Sequence, residues 1–239
     1  MISSVVLNAL LAIIPVIFAI TLHETAHGFM ALALGDTTAR DQGRLTLNPL
    51  KHIDRVGTII LPGFLLISQL LTIHRVAFMF GWAKPVPVSA WKFANPRRGM
   101  AIVAIAGPGM NFFLAWLTAV VGHVVPGFAE IARYLEGFTE VYALSPVIVV
   151  FLSFMVTNLV LGLFNLLPIL PLDGGRVVAG ILPERVARFW AGLERYGILI
   201  VLVVILVLPN IFGINPIGDA LDAILPRAFR LVFWLAGYP

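Results

Sequence analysis

Three residues in an otherwise apolar run could do chemistry: His23, Glu24 and His27, within IIPVIFAITLHETAHGFMALAL at residues 13–34. His23-Glu24-Thr25-Ala26-His27 has the HExxH pattern. On a helix, residues four apart lie one turn above each other, so both imidazoles reach a single Zn²⁺. Glu24, one position round, is placed to take a proton from water as a general base. A bare packing role explains them poorly, because an ionisable group in a membrane helix costs about 2.5 kcal/mol or more.

Two histidines leave a catalytic zinc site one protein ligand short, with a further position kept for water. The chain has no cysteine, so the third ligand must be His, Asp or Glu. Asp36, Asp41, Asp54, Glu130, Glu136, Glu140, Glu184, Glu194, Asp219 and Asp222 sit mostly in loops or at helix ends among Lys and Arg, which suits solvated surface. His52 is a loop residue, His74 interfacial and His123 at the far end of a helix, so each is expected to be structural. Asp173 differs. It lies in FNLLPILPLDGGRV, where Pro168 and Pro171 break the helix and glycines let backbone pass close by. Non-helical backbone at membrane depth is tolerated only where it is buried in protein or lines a wet cavity. The other reading of Asp173 is a helix cap before GGRVVAG.

The elements that must position these groups are membrane helices. Of 239 residues 60% are hydrophobic and only 12% charged, about half the charge of a soluble domain. The expected fold is all-α and polytopic, with long apolar helices at about 4–34, 99–125, 141–166 and 193–212. A shorter apolar stretch at 57–73 carries Pro62-Gly63 at its centre, and a more polar segment lies near 217–236. The N-terminus lacks a basic n-region and a cleavage site, so the first span is expected to stay in place. Short loops leave no room for a soluble domain, so residues 1–239 are expected to form one membrane domain. The 40–98 insert between the first two core helices has extended character. In KPVPV, prolines forbid helix and favour an edge strand or polyproline-like run. The net charge of +4 is scattered through membrane-flanking loops, which fits lipid headgroups and not nucleic acid.

HETAH at 23–27, AIAGPGMNFFLA at 104–115 and NLLPILPLDGG at 165–175 resemble the three core signatures of the site-2 proteases, zinc metalloproteases of the M50 type that cut transmembrane helices. GRLTLNPLKHID, GWAKPVPV and NPRRGMA resemble the compact prokaryotic branch, which carries no PDZ or CBS domain. The resemblance implies one zinc held by His23, His27 and Asp173, with Glu24 as general base. It also implies that Asn111 and Asn165 contact substrate backbone or orient ligands; either could equally bond between helices. The implied partners are a transmembrane-helix protein substrate and the bilayer, with oligomeric state open. Two rival readings are a CaaX-type peptidase, which needs a downstream Glu ligand, and a non-proteolytic membrane protein that binds metal, transports, or binds helices.

Shared ligation constrains topology. His23 and His27 lie in the C-terminal half of the first helix and Asp173 follows the 141–166 helix, so those two ends must share a side. An odd number of crossings must separate them, and the 99–125 helix supplies one. The 57–73 stretch is therefore expected to dip in and return with Pro62-Gly63 at the turn, or to lie along the interface. Arg40, Arg44, Lys51, Arg55, Lys84, Lys92, Arg97 and Arg98 then share a side with Arg176, Arg185, Arg188 and Arg195. The opposite loop holds Glu130, Glu136 and Glu140 against Arg133. Basic loops mark the cytoplasm, giving an outward N-terminus in the cell membrane and a site opening to the cytoplasmic side. Residues 44–48 or 84–88 are expected to pair with an unwound substrate strand.

Overall fold

The computed structural model describes residues 2–72, 74, 81–129 and 145–238. Eight helices of six or more residues organise them: α1 (Ile2–Ala33), α2 (Arg55–Thr72), α3 (Pro96–Gly122), α4 (Pro146–Asn165), α5 (Asp173–Ile181), α6 (Glu184–Gly192), α7 (Gly197–Leu202) and α8 (Pro216–Leu235). A wider π-type coil over Val203–Phe212 continues α7. Three of these starts are written in one local code. Asn95, Ser145 and Asn215 each cap a helix whose first residue is proline, a position where the missing N–H is not needed.

Five helical stretches are long and apolar enough to cross a membrane: Ile13–Ala33, Arg55–Thr72, Pro96–Gly122, Pro146–Asn165 and Glu184–Phe212. They divide into two groups. In α1, α3 and α4 39% of the apolar window is buried, against 6% for Arg55–Thr72 and 11% for Glu184–Phe212. The first three pack on one another as a core, with α5 laid against α3, while the other two offer nearly their whole circumference to the surroundings. At one end of the core, Ala115 and Ala119 of α3, Leu152, Met155 and Leu159 of α4 and Phe229 and Phe233 of α8 close around Phe128.

Two expectations need correction. Pro62-Gly63 is not a turn: the helix runs through both, because a π-type turn over Arg55–Ile60 precedes Pro62 and puts it in the first turn of the α-helical stretch Leu61–Thr72. The chain nevertheless returns to where α2 begins, since the Trp82 N–H donates to the Gly57 carbonyl at 3.1 Å. The β-like insert also forms no strand among its described residues. Residues 81–89 take neither helix nor strand; Pro85 and Pro87 hold this segment extended and strip N–H groups from one edge, while Lys84 and Val86 donate from the other. Their bonds go instead to loops and side chains. The Lys84 N–H donates to the His52 carbonyl at 2.8 Å, and Thr58 donates its hydroxyl to the Trp82 carbonyl at 2.9 Å. The acidic loop at 130–140 lies outside the described residues.

Candidate metal centre

The HETAH turn sits in the C-terminal half of α1, and α5 begins at Asp173, after the broken stretch that follows α4. These two elements bring together three atoms that could hold a metal ion. His23 Nε2 and His27 Nε2 lie 3.1 and 3.2 Å from Asp173 Oδ2, and 3.0 Å from each other. All three residues are buried, with His23 5%, His27 9% and Asp173 6% exposed.

Their other partners fix the protons. His27 Nδ1 donates to the Val103 carbonyl at 2.7 Å, and His23 Nδ1 donates to Asn111 Oδ1 at 2.6 Å. Each imidazole therefore turns its other nitrogen, Nε2, toward the carboxylate. Asp173 Oδ2 is buried without a hydrogen-bond donor. Three donor atoms thus converge in one buried site, an arrangement that a cation at the centre would satisfy. Tetrahedral zinc with ligands at about 2.0–2.1 Å would hold its ligand atoms about 3.3 Å apart, close to the spacing here. The donor set of two imidazoles and one carboxylate, with each imidazole oriented from behind, fits a catalytic zinc site.

The glycines of the motifs make this fit possible. A Cβ on Gly107 would overlap His27 Nε2 and the Cε1 atoms of both imidazoles. A Cβ on Gly174 would strike the Leu166 and Leu167 carbonyls, so only glycine lets α5 start this close to the end of α4.

Glu24 lines the same cavity as the ligands, a cleft of about 470 Å³, within the range of ligand pockets. Its Oε2 accepts the Val86 N–H at 3.0 Å. Asn111 is fully buried and faces His23, while its amide donates to Asn158 Oδ1 at 2.8 Å. Asn158, itself fully buried, is a member of the network that sequence reasoning missed; the available signal was an asparagine in the middle of an apolar helix. Asn165 donates within its own helix to the Leu161 carbonyl at 3.0 Å and lines the cavity. No hydrogen bond joins Asn165 to the three ligands among the described residues. The other histidines stand apart, as expected: His52 Nε2 donates to the Thr46 carbonyl at 2.9 Å and His123 Nε2 to the Ala236 carbonyl at 2.7 Å.

Asp36 is a correction. It is fully buried, not a solvated surface acid. Burial opposes its charge, but the Ser89 N–H at 2.6 Å, the Thr38 hydroxyl and amide, and the Lys92 ammonium outweigh it and hold its carboxyl below the ordinary value. Its bonds tie the loop after α1 to the extended segment.

Comparison with known proteins agrees with the geometry. The profile of Peptidase family M50 matches residues 11–209. The chain is similar to YwhC of Bacillus subtilis (strain 168), 35% identical over 92% of this chain and 91% of that one. It is also similar to Rip2 of Mycolicibacterium smegmatis, 32% identical over 91% of this chain and 70% of that one. A third relative is the zinc metalloprotease MJ0392 of Methanocaldococcus jannaschii, 33% identical over 38% of this chain and 22% of that one. No solved structure matches significantly. The chain belongs to peptidase family M50 and is an intramembrane zinc metalloprotease.

Proposed function

We propose that His23, His27 and Asp173 hold the one zinc of this M50 peptidase and that Glu24 is its general base. The observation that carries this reading is the convergence of two imidazole nitrogens and a carboxylate oxygen within 3.0–3.2 Å of one another, in the cavity that Glu24 also lines. When bound, zinc supplies a Lewis acid that polarises the scissile carbonyl and acidifies water. Glu24 takes the proton of the attacking water and returns it to the leaving amine. Val103 and Asn111 keep the imidazoles in the tautomer that ligation needs. Asn165, on the cavity wall, meets the substrate backbone.

The substrate is a transmembrane segment of another protein. Its amides are bonded internally while it is helical, so it unwinds locally before a carbonyl reaches the site. One membrane domain carries out the reaction, with the cavity toward the cytoplasm: Arg40, Arg44, Lys51, Lys84 and Lys92 lie in the segments between the HETAH end of α1 and α3. His23 precedes Gly35 by about 12 residues, roughly 18 Å of helix, which puts the zinc inside the membrane boundary.

The test uses the purified protein in lipid vesicles with a labelled transmembrane-helix substrate. Cleavage is expected to stop on zinc chelation and to return with added zinc. Glu24→Gln is expected to keep its zinc and lose roughly 10²–10⁴-fold in turnover. Turnover of Glu24→Gln at the wild-type rate would contradict the assignment.

A further inference from the structure

Glu24 has one protein hydrogen-bond donor among the described residues, the Val86 N–H. That donor belongs to the extended segment and not to the helix core, and Arg44 bonds that segment at this point. Its guanidinium Nη2 donates to the Lys84 carbonyl at 2.9 Å and to the Pro85 carbonyl at 3.3 Å, the two carbonyls immediately before the Val86 amide. Arg44 is only 9% exposed, its Nε has no partner, and no carboxylate pairs with it among the described residues. A buried guanidinium without a counter-ion is costly, which asks for a compensating role in this position.

The surroundings leave the segment little freedom. Pro85 and Pro87 restrict the backbone on both sides of Val86. Asp36 and Thr38 hold Ser89 three residues on. A Cβ on Gly28 would stand 3.0 Å from Val86 Cγ1 and 2.9 Å from Leu45 Cδ1, so glycine beside the ligand His27 lets Val86 seat against α1.

We propose that Arg44 and the Val86 N–H form a positioning device for the general base. Arg44 fixes the two carbonyls, the Val86 amide holds Oε2 of Glu24, and Oε1 is left to meet water. Arg44 is thus a positioning residue that acts through a backbone amide. This rests on the reading of Glu24 as the base.

The experiment is a double-mutant cycle on turnover in lipid vesicles, with zinc content measured on the same samples. Val86→Pro removes the N–H while keeping an extended backbone between two prolines. It is expected to lower kcat roughly 10–100-fold, with KM changed less than about twofold and zinc unchanged. Arg44→Ala is expected to act in the same direction, and the double variant to fall no further than the weaker single one. Wild-type kcat in Val86→Pro, losses that multiply, or loss of zinc in Arg44→Ala would each overturn the proposal. Should Val86→Pro fail to fold, replacing Val86 by its α-hydroxy acid, which deletes only the N–H, carries the same expectations. Active Val86→Pro beside inactive Glu24→Gln would remove this device alone. Active Glu24→Gln would remove the base assignment with it.

Discussion

The same two helices, α3 and α4, build two unlike regions. At one end, Ala115 and Ala119 meet Leu152, Met155 and Phe128 in apolar packing, with a single buried bond from the Tyr238 hydroxyl to the Ala119 carbonyl. At the other, Gly107, Asn111, Asn158 and Gly162 lie against the histidines of α1 and one another. The apolar end is held by shape, which tolerates swaps that conserve volume. The metal end is a hydrogen-bonded chain, in which one lost partner leaves others unsatisfied at depth. Function should therefore be sensitive to single atoms at the metal end, and only stability should respond at the other.

The largest effect is expected from Gly107→Ala. The new methyl overlaps both imidazoles, so zinc affinity should fall on the order of 100-fold or more and turnover with it. Competition with a fluorescent chelator measures this, and wild-type affinity would break the contrast. Asn111→Ala should weaken zinc roughly 10–100-fold by releasing His23. The same titration, done beside Gly107→Ala, ranks the two.

Met155→Ala probes the apolar end. Met155 is fully buried, so truncation should cost about 2–5 kcal/mol of stability. Zinc affinity of the folded fraction should stay at the wild-type value. A thermal melt in detergent with parallel zinc titration separates the two, and a zinc defect here would show that the regions are coupled.

Asp36→Asn should have a smaller effect, of about 1–3 kcal/mol, and it should depend on pH. The folded-state pKa of Asp36 lies below the ordinary 3.8, so its contribution is full above that value and is lost as pH falls through the folded pKa. The gap between wild type and Asp36→Asn should be constant above about pH 5 and close below 3.8. A gap that widens on acidification would contradict the assigned bonds.

Much of this was legible in the sequence. HExxH states its spacing directly, and Asp173 stood out because two prolines and two glycines surround an acid in apolar sequence. The helix starts at Pro96 and Pro146 carry a local signal, proline behind a capping residue, which the expected bounds of 99 and 141 did not use. What was not legible depends on backbone groups and on burial set by distant segments. The Val103 carbonyl and Val86 N–H have no side-chain signature. Asp36 reads as a loop acid until Ser89 and Lys92 fold over it. The turn expected at Pro62-Gly63 failed because a preceding π-type turn accommodates proline without ending the helix.

The central claim is that Asp173 completes the site begun by His23 and His27. Zinc stoichiometry of the purified protein, wild type beside Asp173→Ala, tests it most directly. The account predicts one zinc per chain in the wild type and little or none in Asp173→Ala after dialysis against a weak chelator. Undiminished zinc in Asp173→Ala would contradict the three-ligand site and the role given to the break between α4 and α5.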